Sequence, residues 1–508
     1  MSKTVPAAGT RRPSPSPALS GADVTMVWVL AGFGLAARVV VLRHGGLGAL
    51  DSDEAVVGLM AQAFRHGHLR AMLWGQSYGG TIEQGLVAIV FSIAGVSTLA
   101  LKVVPIALQA LAAVLTWRVG LRVTSRRAAA LAGALVWVWP GAYVWWSTKE
   151  RGFYEMCLCL SVVVVLVASQ IAQPVRLKRR AEARWALLGL FAGLGFWESP
   201  QILYSLLPVA AWLVIWHRRR CGGVVVAIPA FLAGSRPWIV WNATNRWRGL
   251  EAQPPAVHGG YASHLGTLAR SGLPTLLGLR VAYTQGWLLP RFHRELYALA
   301  LIALVVGLVH VGRRGSVLLV ILAAFPLLHA VYPSSGYVSE GRYLYFMLPW
   351  IALAIASAAR TTLTALAIVI VAIAVSVAGL VDMRQATSPY LAGEVMPTDL
   401  GPLEAALRSH GITRAWADYW IAYRVTFETD GGVIVAPTWG DRYPPYDQLL
   451  ARAEHPADIF LSGTRPDVNF SAGLAARNIA AARFAAGPWV IYVPSRPTPP
   501  SAIPGAVK

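Results

Sequence analysis

Residues 24–54 read VTMVWVLAGFGLAARVVVLRHGGLGALDSDE. From Val24 to Leu42 the only charge is Arg38, and a stretch of roughly 20 apolar residues is what a bilayer crossing requires. The run is too long for a signal-peptide core and no small-residue cleavage site follows it, so it should persist as a membrane helix. Arg38, near its end, is expected to snorkel towards the interface. Directly after the run come Asp51, Ser52, Asp53 and Glu54, three carboxylates in four positions. A membrane helix that delivers an acidic cluster to one face sets the frame for the rest of the chain.

The composition supports that frame. Of 508 residues, 56% are hydrophobic and 13% charged, where a soluble domain carries roughly 25% charged residues. An ordinary soluble enzyme is excluded by that deficit, and a disordered chain by the high hydrophobicity. The net charge of +20, from 44 Lys and Arg against 24 Asp and Glu, suggests nucleic acid at first sight. The basic residues, however, sit in short groups between apolar runs: Arg118 to Arg127, Arg176 to Arg184, His217 to Arg220, and Arg313 with Arg314. That is the positive-inside pattern of a polytopic membrane protein, with no call for nucleic acid. Cys157, Cys159 and Cys221 are odd in number and lie in or beside apolar segments, which fits neither a disulfide framework nor a metal site.

Further apolar runs lie near 103–120, 128–146, 153–171, 201–216, 222–241, 296–311, 315–332, 343–359 and 361–381, with a shorter one at 185–197. The stretch 82–100 is apolar too. If it crossed, the clusters at 118–127 and 176–184 would leave the cytoplasmic face; if it is re-entrant or interfacial, every cluster stays inside. The second arrangement is preferred, and the expected fold is a polytopic α-helical membrane protein of about eleven to twelve transmembrane helices. Residues 1–20, rich in Pro, Ser and Ala, read as a disordered cytoplasmic tail, 21–384 as the membrane domain, and 385–508 as a small extracytoplasmic α/β domain. Within the last, 414–417, 433–436, 458–461 and 489–493 read as strands and 419–427, 446–454 and 472–484 as helices, an alternation that predicts a parallel sheet. The aromatic segments Asp418-Tyr419-Trp420 and Arg442-Tyr443-Pro444 read as core and edge of that domain, with stacking on sugar rings as the alternative.

Three places bear chemistry. Asp51, Asp53 and Glu54 form a like-charge cluster that needs cations among its members, against the alternative that Asp53 merely caps a helix beginning at Ala55. Glu155 falls one turn inside a helix that follows Lys149-Glu150-Arg151-Gly152-Phe153-Tyr154. An ionisable group there is expensive unless functional or paired with Lys149 or Arg151. Arg342, in Gly341-Arg342-Tyr343-Leu344, is placed at the outer mouth of a helix and either offers a fork suited to phosphate or anchors an aromatic belt with Tyr343 and Tyr345. A carboxylate to activate a hydroxyl and a cation to hold a phosphate leaving group are what glycosyl transfer from a lipid phosphate requires.

The Asp-Glu-Ala after the first helix, the Gly-Gln-x-Tyr-x-Gly-Thr-x-Glu that follows, the Gly-Phe-Tyr-Glu helix start and the late Gly-Arg-Tyr-Leu, in this order, resemble the GT-C superfamily. Within it they resemble the bacterial branch related to protein O-mannosyltransferases and the lipid A aminoarabinose transferases. The resemblance covers roughly residues 24–381. It implies a multi-pass glycosyltransferase of the bacterial inner membrane, with its site and C-terminal domain on the extracytoplasmic face. Such an enzyme takes a monosaccharide from a polyprenyl-phosphate donor in the lipid bilayer and gives it to a glycan, lipid or protein acceptor. Carried over by position, Asp53 is the general base, with Glu54 beside it and Glu155 at a second acidic position where many relatives carry Asp. Asp51, Gln76, Tyr78, Glu83, Lys149, Arg151 and Arg342 are the substrate-binding candidates. Some members require a divalent cation, Mg or Mn, and others do not; no third carboxylate here has a spacing that decides it.

A transporter or lipid flippase is the rival, and it predicts acids at helix centres and two corresponding halves. The acids lie instead towards one face, and no internal repeat is visible. With the basic clusters inside, reporters inserted at Gly75 or fused after Val381 should both be extracytoplasmic; a cytoplasmic signal from either would overturn this topology.

Overall fold

The computed structural model describes residues 19–174, 177–251, 259–339, 341–384, 390–391 and 394–507. The tail assigned to 1–20 lies almost wholly outside the described residues, as do Arg176 and Glu340.

The first apolar run forms α1 (Gly21–Arg43), opened by a capping box in which Ser20 and Asp23 satisfy each other's backbone N–H groups. Arg38 does not snorkel. It is 1% exposed and donates to Ser147 Oγ at 3.0 Å and to the carbonyls of Gly34 and Trp137 at 2.9 and 3.0 Å, stacked over the Trp137 ring. An arginine that finds carbonyl partners in the protein has no need of the headgroup layer.

There follow α2 (Ser52–Arg65), α3 (Ile82–Ala94), α4 (Thr98–Val123), α5 (Arg126–Val138), α6 (Gly141–Trp146), α7 (Tyr154–Ile171), α8 (Lys178–Glu198), α9 (Leu203–His217) and α10 (Val224–Thr244). After them come α11 (Tyr261–Thr267), α12 (His293–Val311), α13 (Ser316–Val331), α14 (Leu348–Ser357) and α15 (Thr362–Met383). Among the described residues six helical segments are long and apolar enough to cross a membrane, one of them the continuous 45-residue stretch Pro200–Thr244. The apolar stretch 82–100 yields only the 13-residue α3, about 20 Å at 1.5 Å per residue, short of a core ~30 Å thick. The run 128–146 is interrupted at Pro140, which has no N–H to continue the ladder of α5.

The α8–α10 pair shows how the bundle closes. A Cβ on Gly189 would stand 2.0 Å from the Ala227 carbonyl, and one on Gly193 2.2 Å from that of Phe231. Small residues four apart let the backbones approach, which is where packing energy between membrane helices arises.

Beyond α15 a small α/β unit contains α16 (Gly401–Ser409), β1 (Arg414–Ala417), α17 (Tyr419–Glu428), β2 (Ile434–Pro437), α18 (Pro445–Leu450), β3 (Ala457–Leu461), α19 (Arg465–Ala476), β4 (Ala481–Ala486) and β5 (Trp489–Pro494). The sheet order is β2-β1-β3-β5-β4. The expected all-parallel sheet is corrected: β1 pairs in parallel with β2 and β3, but β5 is antiparallel to both β3 and β4. The expected helix 472–484 is corrected as well, since α19 ends at Ala476 and β4 takes its last residues. β4 is an edge strand whose Ala-Ala-Arg-Phe-Ala-Ala composition carries helix propensity, overridden by a six-residue pairing with β5.

This unit sits directly on α2. Phe427 of α17 lies over Gly58, where a Cβ would meet its ring at 2.4 Å, and Gln62 donates to Asp430 at 2.8 Å. Trp74 and Tyr443 stack with centroids 4.0 Å apart.

Candidate active site

Asp51 rather than Asp53 is the N-cap of α2; its Oδ1 accepts from the Glu54 N–H at 3.1 Å, and the helix starts at Ser52, not Ala55. The first turn then aims its three acids in different directions. Glu54 turns inward and is fully buried, bound by Lys102 Nζ of α4 at 2.5 Å, by Lys149 Nζ at 3.0 Å and by the Glu150 N–H at 3.2 Å. Lys149 is further held by the Ala49 carbonyl at 2.5 Å. Asp51 receives the Arg151 fork on both oxygens, at 3.0 and 2.9 Å. Burial by itself would push the Asp51 carboxyl up; Arg151 first and Lys149 next outweigh it and hold the group well below the usual carboxylate range.

Asp53 is the acid that reaches open space, with 28% of its side chain exposed against 12% for Asp51 and none for Glu54. Its Oδ2 accepts from Arg151 Nη1 at 3.1 Å. Its Oδ1 accepts from the Tyr419 hydroxyl and has Arg442 Nη2 at 3.6 Å. Burial, and after it the Asp53 charge, raise the Tyr419 phenol, so it stays protonated and donates. Arg442 Nε in turn donates to the Tyr419 oxygen at 3.3 Å. With its amide oxygen turned to that guanidinium, Gln76 accepts from Arg442 Nη2 at 3.1 Å.

The cavity above Asp53 is walled by Gln76, Tyr78, Trp146, Arg151, Arg342 and Arg442, among others. It brings Asp53, Gln76, Tyr78, Arg151 and Arg342 together and leaves other predicted residues out. Lys149 is committed to Glu54. Glu54, expected as a catalytic residue beside Asp53, is fully buried on Lys102 and Lys149 and is not part of the lining of this cavity. Arg342 lies in the turn before the 3₁₀ segment Tyr345–Met347, with α14 beginning only at Leu348, so it does not open a helix.

Glu83 and Glu155 belong elsewhere. Both are fully buried, and Glu155 pairs with neither Lys149 nor Arg151; its two oxygens have no hydrogen-bond partner. Glu83 accepts from the Met156 N–H at 2.7 Å. With Glu150 and Glu198 they form a second carboxyl cluster inside the bundle. Burial, then the Glu83 charge, push Glu150, in the loop between α6 and α7, well above the ordinary range.

Sequence reasoning missed Lys102, and it singled out the segments of Tyr419 and Arg442 as core and edge or as sugar-stacking without placing either residue at Asp53. Lys102 had a signal, an ionisable residue one turn into an apolar helix, which ought to have a partner. As for a divalent cation, among the described residues no group of three or more His, Cys, Asp and Glu side chains is placed to hold one. The acids near the cavity are taken by Arg151, Arg442 and two lysines, and these residues do not fit a metal centre.

The sequence matches no protein-family model and no curated protein. In three dimensions the chain is similar to ArnT from Cupriavidus metallidurans in the apo state, with TM-score 0.60 at 10% identity over 93% of this chain and 98% of that one. The same protein bound to undecaprenyl phosphate matches equally, TM-score 0.60 at 10% identity over 92% and 98%. The archaeal oligosaccharyltransferase AglB from Archaeoglobus fulgidus, in complex with an inhibitory peptide and a dolichol-phosphate, matches at TM-score 0.53 and 11% identity over 86% of this chain and 69% of that one. The chain shares the fold of these solved proteins. Within this fold the α/β unit is placed so that its Tyr419 and Arg442 meet Asp53 of α2.

The two neighbouring acids should part company on substitution. Glu54→Gln leaves Lys102 and Lys149 facing a neutral group in a buried site, which costs about 3–5 kcal/mol, so its thermal unfolding midpoint in detergent should fall well below wild type. Asp53→Asn, at a partly exposed site, should keep the midpoint within a few degrees. Equal midpoints for the two variants would refute the division between anchor and exposed acid.

Proposed function

We propose that the protein is a glycosyltransferase that moves a monosaccharide from a polyprenyl-phosphate donor to a hydroxyl-bearing acceptor outside the cytoplasm. The observation that carries this reading is Asp53, the exposed acid of its cluster, facing a cavity that also receives the guanidinium groups of Arg151, Arg342 and Arg442. The fold neighbours support the donor class, since one is bound to undecaprenyl phosphate and another to a dolichol-phosphate.

The reaction is a displacement at the anomeric carbon. The acceptor oxygen forms the new bond to that carbon as its proton passes to Asp53, and the bond to the phosphate oxygen breaks with its electron pair leaving on the phosphate. Arg342 and Arg442 receive that phosphate by charge-assisted hydrogen bonds. Arg151 orients Asp53 through its hydrogen bond to Oδ2. Four cations, Lys102, Lys149, Arg151 and Arg442, already face the three carboxylates Asp51, Asp53 and Glu54, so the site carries surplus positive charge suited to an anionic leaving group.

The cavity itself is only about 50 Å³, against roughly 300–1,000 Å³ for typical small-molecule sites. Tyr419 and Arg442 fill the space over Asp53, so a sugar gains access only when the segment carrying Arg442 withdraws from Gln76 and Asp53. The C-terminal unit therefore acts as the movable wall of the site.

Transfer from radiolabelled polyprenyl-phosphate sugars by the full-length protein in membranes tests the reading. Wild type should label an acceptor and Asp53→Asn should lose at least about 10² in turnover, the usual minimum for a lost general base. Retention of more than about a tenth of wild-type turnover would show that the base lies elsewhere.

A further inference from the structure

A second cavity, of about 860 Å³, lies where α4, α7, α9 and α13 meet, with Arg118, Arg122, His217 and Trp212 in its lining. It is at the opposite end of the bundle from Asp53. Helix α4 carries Lys102 on Glu54 and ends at the cavity with Arg118 and Arg122; the 20 residue steps from Lys102 to Arg122 cover about 30 Å, the thickness of a bilayer core. Helix α7 likewise starts with Tyr154 in the wall of the Asp53 cavity and ends at the second cavity, lined by Ser169, Gln170 and Ala172.

Two more arginines stand at its rim. Arg184 donates to the Gln170 carbonyl, and Arg220 to the carbonyls of Ile171, at 3.2 Å, and Ala172. They cap the C-terminus of α7, where cations are favoured. Among the described residues none of Arg118, Arg122, Arg184 and Arg220 makes an ion pair. Four guanidinium groups gathered about one cavity repel one another, and an anion in the cavity relieves that repulsion.

The walls say what kind of anion. Leu121, Leu166, Val317 and Trp212 are apolar, and beside His217 the outer face of α9 exposes Val214, Ile215 and Trp216 at 60%, 62% and 54%. A small inorganic anion has no use for that apolar track, whereas an acyl chain does. Basic pockets between transmembrane helices are the structural form that anionic headgroup recognition takes at a cytoplasmic surface.

We propose that this cavity binds an anionic phospholipid, its phosphate between Arg118 and Arg122 and its chains along residues 214–216. The site is separate from the Asp53 cavity, and its test does not involve glycosyl transfer.

Full-length protein in nanodiscs of phosphatidylglycerol and phosphatidylcholine, released into native mass spectrometry, should retain phosphatidylglycerol in preference to phosphatidylcholine. The Arg118→Gln, Arg122→Gln pair should lose at least about tenfold of that retention, as charge-assisted bonds to phosphate are lost. The Arg218→Gln, Arg219→Gln pair, matched in charge but outside the cavity lining, should keep it. Equal retention of both lipids by wild type overturns the proposal without need of any variant. Equal loss in both pairs overturns it in favour of diffuse surface charge, and displacement by millimolar inorganic phosphate alone overturns the lipid assignment in favour of a free anion.

Discussion

Arg151 holds Asp51 and Asp53 at once, and it is free to do so because Lys102 and Lys149 have taken Glu54. This chain of buried charge links three parts of the molecule: the first turn of α2, the long helix α4 and the loop before α7. None of these ions is stable in a low-dielectric interior alone, and each is tolerated because its partner arrives from another element. The arrangement fixes where the one accessible carboxylate points. Asp53 is left at the boundary between protein and cavity with its geometry already set.

The C-terminal unit depends on the same network from the other side. Tyr419 and Arg442 meet Asp53 from above, while the Trp74–Tyr443 stack and the fit of Phe427 over Gly58 dock the unit on α2 and its loop. Glycine is needed at position 58 because the helix surface must be flat where an aromatic ring lies on it. The same contacts that stabilise the unit narrow the cavity, so its docking strength and the openness of the cavity are opposed.

Much of this was legible in the sequence. The first helix and the Asp51–Glu54 cluster stand out because charges are few in an apolar chain, and the buried strands β1, β3 and β5 show as short hydrophobic runs between turns. The edge strand β4 was hidden by its alanines, and the buried path of Arg38 by the habit of placing lone cations at an interface; Lys149 read as a substrate-binding residue or a partner of Glu155, while its partner Glu54 lies 95 positions away. Arg442 is 389 positions from Asp53, and periodicity reports only on faces within one element. Its aromatic neighbours marked a packed edge; that the edge packs on α2 is a tertiary fact. Glu155 looked functional because it is ionisable within a helix, yet what surrounds it is a carboxyl cluster without access to the Asp53 cavity.

A cryo-electron microscopy map of the full-length protein in nanodiscs with undecaprenyl phosphate addresses the central claim most directly, because it locates the phosphate against named side chains. The account predicts density for the phosphate within hydrogen-bonding distance of the Arg342 and Arg442 guanidinium groups, with Asp53 still held by Arg151 and the Arg442 segment moved outward. Phosphate density away from both arginines, with the Asp53 cavity unchanged and empty, would contradict it.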